Sequence, residues 1–175
     1  TSPPDIPNPV VTVEGTTIET FFESEGEVQD RLVELILEAD TVRFMAFSIT
    51  DSLEYDDNGT DRPLLDLLLE RAQSGQITLQ GIVENSQRSY AASLICAGLD
   101  VQRDGNPRIL HHKVFILDDS TVLMGSFNFS RSAAKSNDEN VLIIHNKTIA
   151  QAYLNEFAAR WAESVPVSLS DLDCP

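Results

Sequence analysis

The stretch HHKVFILDDSTVLMGSFNFS, residues 111–130, sets histidines, a lysine and small polar residues among apolar ones. Its first apolar run, VFIL, is rich in the β-branched and aromatic residues that favour strands. Because alternate residues of a strand share a face, His111 and Lys113 are predicted to point to one side of a sheet and His112 to the other. The pattern predicts a buried strand over residues 108–118 that carries a polar pair on one face.

A second strand is predicted after a turn at residues 118–120, where two aspartates and a serine favour a change of chain direction. Along residues 121–129, Ser126 and Asn128 share one face by the same rule. We expect the hairpin to bring this second polar pair close to the first, across the ladder. Gly125 leaves room for a ligand or another backbone to approach closely.

Together the two pairs place an imidazole, an ammonium, a hydroxyl and a carboxamide on one face. A phosphodiester fits this set, because the ammonium offsets its charge and the hydroxyl and amide donate to its oxygens. The imidazole can attack phosphorus or transfer a proton. Each group alone is common in a structural role, but the combination indicates a phosphate site.

The rest of the chain alternates between helical and strand patterns, which is typical of an α/β protein. The predicted fold is a mixed β-sheet flanked by helices on both faces, an α-β-α sandwich. Residues 51–62 are polar, contain Asn-Gly and are predicted to form a loop. We expect a proline-rich linker or tail at residues 1–15, a single domain at 16–164 and a C-terminal tail at 165–175.

The formal net charge of the chain is −16, and only three residues are lysines. Such a surface repels polyanions, so a nucleic acid or an anionic lipid would need a local basic patch. Basic residues that flank the motif in sequence are candidates for that patch: Arg88, Arg103, Arg108, Arg131 and Lys135. The acidic surface also fits a secreted, periplasmic or saline setting. No apolar run reaches the length of a membrane span.

Two cysteines, Cys96 and Cys174, lack the spacing of a metal site. Cys96 lies in a helical pattern, where a small buried hydrophobic residue is one interpretation. A disulfide between the two is the other, if the chain is secreted.

The string His111-x-Lys113-x-x-x-x-Asp118, followed by Gly125-Ser126-x-Asn128, resembles the HKD signature of the phospholipase D superfamily. The similarity continues at Asn137-x-Glu139, and upstream it extends through the patterns that precede the motif. It covers roughly residues 16–164. The compound motif is specific, and single-motif chains of this size resemble the small bacterial endonucleases of the superfamily.

The resemblance implies roles for the motif residues. His111 would attack phosphorus and form a phosphohistidine, and Lys113 and Asn128 would bind the non-bridging oxygens with help from Ser126. Glu139 would accept a hydrogen bond from the far nitrogen of His111 and so fix its tautomer.

Two further motif positions are interpreted as structural. Asp118 points away from the polar face and is expected to brace the turn, and Gly125 allows a close approach. His112 faces away from His111 and is expected to have a packing or hydrogen-bonding role. The mechanism that the resemblance implies uses no metal and no cofactor.

One motif supplies one His111, whereas the reaction needs one imidazole to attack and a second to protonate the leaving oxygen. The resemblance implies a homodimer that brings two motifs together across a two-fold axis. The alternative is that a removed upstream domain carries the second motif, which would make this chain one half of a larger enzyme.

The predicted function is therefore a metal-independent phosphodiesterase, with a nuclease acting on DNA or RNA favoured. A phospholipase D-type hydrolase of phospholipid head groups is the alternative, although the sequence has no basic amphipathic helix. A non-catalytic binding domain is a third hypothesis, against which the intact set of motif residues counts.

Overall fold

The computed structural model describes residues 9–23, 27–57 and 60–174, so the first eight residues of the predicted linker lie outside it. The strands are β1 Val10–Val13, β2 Thr16–Glu23, β3 Thr41–Ala46, β4 Glu54–Asp57, β5 Thr60–Pro63, β6 Thr78–Val83, β7 Asp100–Arg103, β8 Lys113–Leu117, β9 Thr121–Gly125 and β10 Glu139–His145. The α-helices are α1 Glu27–Glu38, α2 Leu64–Gln73, α3 Ala92–Cys96, α4 Arg131–Lys135 and α5 Lys147–Glu163. Short 3-10 helices cover Asn85–Ala91 and Leu169–Asp171.

Eight of the strands form one sheet in the order β1-β2-β10-β9-β8-β3-β6-β7. The pairs β3–β6 and β6–β7 are parallel, and the other neighbours are antiparallel. Helices cover both faces, since one core cluster joins the sheet to α1, α2, α3 and α4 and a second joins it to α5. The predicted α/β class with a mixed sheet between helices is confirmed.

The motif strand β8 lies in the middle of this sheet, between β3 and β9, and all five of its residues are buried. Phe115 and Leu117 belong to the cluster under α1 to α4, whereas Val114 and Ile116 pack against α5. The predicted alternation of faces is thus confirmed. Lys113, two residues before Phe115, lies at the end of the strand on the larger-core side.

Three sequence predictions about element boundaries are wrong. The predicted strands at residues 108–118 and 121–129 are shorter, because β8 starts only at Lys113 and β9 ends at Gly125. The predicted loop at residues 51–62 contains the paired strands β4 and β5. The end of the predicted linker forms β1, which pairs with β2 at the edge of the sheet.

The segment after α5 is not a free tail. Val165 forms a bridge with Arg103 of β7, and Val167 and Leu172 are buried in the larger core. A disulfide joins Cys96, at the end of α3, to Cys174, with 5.6 Å between the two Cα atoms. Of the two interpretations of the cysteines, the structure shows the disulfide. Strand β1, before residue 16, and the segment after residue 164 thus both pack against the rest of the described chain.

The disulfide generates a prediction about stability. It closes a loop of 78 residues, and removing a cross-link of that span costs roughly 4 kcal/mol on the loop-entropy model. We expect Cys174→Ser to lower the free energy of unfolding by about that amount in urea denaturation. The wild-type chain in reductant should match the variant, and the variant should not respond to reductant. An unchanged free energy of unfolding would contradict the prediction.

Candidate active site

The polar pair of the motif lies where β8 begins. Lys113 is its first residue and is only 7% exposed, whereas His111 precedes the strand and is exposed. The Lys113 Nζ lies 3.3 Å from His111 Nε2 and donates to the His111 carbonyl oxygen at 3.2 Å. An ammonium can only donate, so Nε2 accepts and carries a lone pair, and the proton of a neutral ring then sits on Nδ1. This is the tautomer that a nucleophilic Nε2 requires.

Phe47, the residue after β3, completes this cluster. Its ring centroid lies 4.9 Å from that of His111, and the Lys113 Nζ lies 5.1 Å from the Phe47 centroid. The Phe47 backbone N–H donates to the His112 carbonyl at 2.7 Å, which continues the β3–β8 pairing by one step. Sequence reasoning missed Phe47, because it lies 64 positions before His111 and outside the motif. Its only signal is an aromatic residue at the end of a buried strand.

Glu139, at the start of β10, is bonded within the chain to residues other than His111. Its carboxylate accepts from the Ser126 hydroxyl and from Asn137 Nδ2, the latter at 2.9 Å. Ser126 Oγ in turn accepts from the Asn140 backbone N–H at 3.1 Å. Among the described residues no hydrogen bond joins Glu139 to His111, so the contact that the resemblance implies is not formed within one chain.

The β8–β9 ladder does not itself bring Ser126 next to Lys113, contrary to the prediction. The ladder aligns Val114 with Met124, which places Gly125 rather than Ser126 across from Lys113. The chain leaves this ladder after Gly125, and the Ser126 N–H donates to the carbonyl of Asn140 on β10 instead. Ser126 reaches the site through Glu139 and β10, not through the β8–β9 ladder.

Asn128 is brought toward the site by the end of β3. The neighbouring Phe129 N–H donates to the Ser48 carbonyl at 3.1 Å, and the Thr50 N–H donates to the Phe129 carbonyl at 2.9 Å. The segments that carry His111 and Asn128 are therefore both hydrogen-bonded to the chain that follows β3. Asn128 Oδ1 is buried and has no hydrogen-bond partner.

Two opposing effects act on the pKa of the Lys113 ammonium. The loss of water lowers the pKa of its ammonium below the ordinary lysine value, and the negative charge of Glu139 opposes this by raising the pKa. That influence of Glu139 on Lys113 agrees with the sheet register, since Lys113, Gly125 and Glu139 fall on the same face. The site is therefore built around a cation with little solvent.

Asp118, at the β8–β9 turn, points away from the polar pair. Its φ is +49°, and its carboxylate accepts from the backbone N–H groups of Asp40 and Thr41 at 2.8 and 2.9 Å. These bonds attach the turn to the connection between α1 and β3, at the opposite end of β8 from Lys113. Gly125 allows a backbone to come close, because a Cβ there would clash with the Asn140 carbonyl oxygen.

His112 lies on the other face of the sheet, as predicted. Its Nε2 is 3.5 Å from a carboxylate oxygen of Glu156 on α5, and burial lowers the pKa of its imidazole. It lines a cavity of about 380 Å³ together with Arg108 and Arg160.

The five basic residues proposed as a rim do not all lie in one pocket. Arg131 and Lys135 line a pocket of about 300 Å³ with Glu54 and Asp61, whereas Arg108 lines the separate cavity beside His112. Within residues 9–23, 27–57 and 60–174, no three His, Cys, Asp or Glu side chains are grouped to hold a metal ion. No helix in that part of the chain is long and apolar enough to cross a bilayer.

Comparison with known proteins assigns the family. The family model described as "Cardiolipin synthase, PLD-like domain" matches residues 32–161. The chain belongs to this phospholipase D-like family, and the resemblance seen in the sequence is confirmed.

Two curated proteins are similar to this chain in sequence. The phospholipase D of Rickettsia conorii is 34% identical over 110 residues, which cover 61% of this chain and 55% of that protein. The mitochondrial cardiolipin hydrolase of Xenopus tropicalis is 33% identical over 96 residues, covering 53% and 46%. The chain spans about half the length of the curated relatives it matches.

Solved structures share the fold. Nuc from Salmonella typhimurium, described as a phospholipase D family member, superposes with a TM-score of 0.72 at 24% identity and covers 87% of this chain and 98% of its own. NucT from Helicobacter pylori gives a TM-score of 0.73 at 18% identity, covering 87% and 99%.

The charge of Lys113 can be tested directly. We expect its ammonium to titrate below the ordinary lysine pKa of about 10.4, as measured by NMR of ¹³C-labelled lysine side chains. Glu139→Gln removes the negative charge that raises this pKa, so the Lys113 pKa should fall further in that variant. A Lys113 pKa that rises in Glu139→Gln would contradict the described electrostatics. Only three lysines are present, which simplifies assignment.

The role of Asp118 generates a stability prediction. Asp118→Ala leaves two backbone N–H groups without their carboxylate acceptor and should lower the free energy of unfolding by about 1–3 kcal/mol. Asp119→Ala is the matched control, since Asp119 also has a positive φ but makes only an exposed ion pair with Arg43, which contributes about 0–1 kcal/mol. Urea denaturation of both variants measures the difference. Equal losses would contradict a bracing role for Asp118.

Proposed function

We propose that this chain is a phosphodiesterase that works through a phosphohistidine on His111, with nucleic acid as the favoured substrate. One observation carries the proposal: the ammonium of the buried Lys113 donates to Nε2 of the exposed His111. An imidazole whose Nε2 carries a lone pair, next to a cation that can hold a phosphate, supplies the two groups that attack on phosphorus needs.

In the proposed first step, the lone pair of His111 Nε2 forms a bond to phosphorus and the bond from phosphorus to the leaving oxygen breaks. A second imidazole donates a proton to that oxygen. In the second step this imidazole takes a proton from water, and the hydroxide oxygen attacks phosphorus. The N–P bond breaks, which restores His111 and releases a phosphomonoester.

Lys113 would have a different partner before and after the substrate binds. Without substrate its ammonium occupies the lone pair of His111 Nε2. A phosphodiester offers the ammonium anionic oxygens, which form stronger hydrogen bonds than a neutral imidazole does. The substrate would therefore draw the ammonium away and free the attacking nitrogen, while Ser126 and Asn128 contact its remaining oxygens.

The second imidazole is proposed to come from a second copy of the chain, in a two-fold dimer. Two observations support it: the described chain carries one such motif, and its Glu139 is engaged by Ser126 and Asn137 rather than by His111. The alternative is that a longer protein supplies the second motif in another domain, which would make this chain one half of the enzyme.

The choice of nucleic acid follows from size and fold. Nuc and NucT match this chain over nearly their whole length, and the sequence resembles the small endonucleases of the superfamily. The net charge of −16 favours a single-stranded or weakly bound substrate over duplex DNA. Phospholipid is the second candidate, because the curated relatives are named phospholipase D and mitochondrial cardiolipin hydrolase.

The test is a single-turnover reaction with labelled single-stranded and duplex DNA, in chelator, on a sample of known mass in solution. We expect a dimer that cleaves single-stranded DNA, and a loss on the order of 10³-fold or more in His111→Ala. His112→Ala is the matched control: the same residue type, one position away but on the opposite face, and it should retain activity.

The other outcomes separate the alternatives. A dimer that cleaves cardiolipin or phosphatidylcholine vesicles but not DNA would replace the nuclease by a lipid hydrolase. An inactive monomer would favour the half-enzyme. Cleavage that survives in His111→Ala would exclude the phosphohistidine mechanism.

A further inference from the structure

We propose that Phe47 is a positioning residue of the active site: its ring holds the His111 imidazole and the Lys113 ammonium side by side, so that both stand ready where the substrate phosphate binds. The proposal rests on the proposed phosphodiesterase function for its catalytic meaning. The geometry on which it stands is independent of that function.

The three side chains form a closed triangle. The rings of Phe47 and His111 lie 4.9 Å apart at an interplanar angle of 58°, a tilted arrangement that favours contact between the edge of one ring and the face of the other. The Lys113 Nζ is 5.1 Å from the Phe47 centroid and 3.3 Å from His111 Nε2. Each member thus contacts the other two, and Phe47 is the only one without a polar group.

The backbone keeps the Phe47 ring in place. The Phe47 N–H donates to the His112 carbonyl at 2.7 Å, and the preceding Ala46 carbonyl accepts from the Glu84 N–H at 3.0 Å. Ala46 itself is paired with Lys113 in the β3–β8 ladder. The Cα of Phe47 is therefore held by two neighbouring strands, one of which continues directly from His111.

The ring also acts on the charge of Lys113. The titratable groups that influence this ammonium in the described chain are His111, His112 and Glu139. The negative charge of Glu139 raises the pKa of the Lys113 ammonium, and burial of this residue, which is 7% exposed, lowers it. The face of an aromatic ring attracts a cation, most strongly where water is excluded. Phe47 therefore supplies an attraction that an aliphatic side chain of similar size does not.

Two substitutions distinguish the effect of the aromatic ring from the effect of side-chain size. Phe47→Leu keeps an apolar side chain but loses the aromatic face, whereas Phe47→Tyr keeps the ring. With bis(p-nitrophenyl) phosphate as substrate, we expect Phe47→Leu to lower kcat/KM by about tenfold. The alkaline limb of its pH profile should move to lower pH, because the Lys113 ammonium loses its proton more easily. Phe47→Tyr should retain the wild-type limb and stay within about threefold of wild-type kcat/KM.

Phe22→Leu is the matched control, because it makes the same exchange at an exposed position on β2 and should change neither quantity. Loss of activity in Phe47→Tyr equal to that in Phe47→Leu would overturn the proposal, since the ring would then be irrelevant. An unmoved alkaline limb in Phe47→Leu would overturn it as well.

A second measurement needs no turnover. ¹³C-lysine NMR reports the pKa of Lys113, which should fall in Phe47→Leu and keep its wild-type value in Phe47→Tyr. A rise in Phe47→Leu would show that the ring excludes water rather than stabilises the cation, and would overturn the proposal. If the wild-type chain hydrolyses no phosphodiester, the proposed function fails, while this titration still decides whether Phe47 acts on Lys113.

Discussion

The ammonium of Lys113 lies at the end of a buried strand, with 7% of the residue exposed, and the site depends on keeping that charge. Withdrawing a cation from water is costly unless other groups replace the lost solvation. The replacements come from three places: the His111 ring and carbonyl beside it, the Phe47 ring from β3 and the carboxylate charge of Glu139 from β10. These groups are separated in sequence by up to 92 positions.

The strand order explains why they meet. β8 has β3 on one side and β9 on the other, and β10 follows β9. The end of the sheet where β3 and β9 finish is also where β8 and β10 begin, because the neighbouring pairs are antiparallel. Residues that precede β8 and β10, or follow β3 and β9, therefore lie together at one end of the sheet. At the opposite end of the sheet, the Asp118 carboxylate accepts a hydrogen bond from the Thr41 N–H and so attaches the β8–β9 turn to the start of β3.

Alternation along the motif strand made part of this arrangement predictable. The period of two correctly separated Lys113 from His112, because the β3–β8 pairing continues for one step before β8 through the bond from the Phe47 N–H to the His112 carbonyl. The same rule failed for Ser126 and Asn128, since β9 stops at Gly125 and the chain turns toward β10 and the end of β3. A strand end is set by tertiary hydrogen bonds that local residue preferences do not encode.

Other parts of the site were not accessible from the sequence for a related reason. Phe47 belongs to a hydrophobic run, and nothing in its sequence distinguishes it from the aromatic residues that pack in the core. Its position beside the site depends on the backbone hydrogen bond from its N–H to the His112 carbonyl. Glu139 was identified as a motif residue, but its partners Ser126 and Asn137 depend on how the loop between β9 and β10 folds. The C-terminal segment has few apolar residues, yet Val167 and Leu172 are buried in the larger core and Cys174 is bonded to Cys96 of α3.

Family membership explains why the motif residues are present, but it does not determine which phosphodiester is the substrate. In the proposed mechanism the motif residues would contact only the phosphodiester group, which is common to nucleic acids and phospholipids. What differs between substrates lies beyond that group. Arg131 and Lys135 line one pocket of this chain together with acidic side chains. The matched regions cover only about half of the length of the curated relatives.

The strand order also has a consequence for the order of folding. β3 obtains its neighbour β8 only after about 70 further residues, and β2 obtains β10 only after more than 110. A chain that emerges gradually therefore carries β2 and β3 with at least one unpaired edge for most of its synthesis. Such edges pair readily with other chains. The end of the sheet that carries the motif residues requires β3, β8, β9 and β10 together, so it is among the last parts to assemble. A truncated chain therefore exposes unpaired strand edges before the site can form.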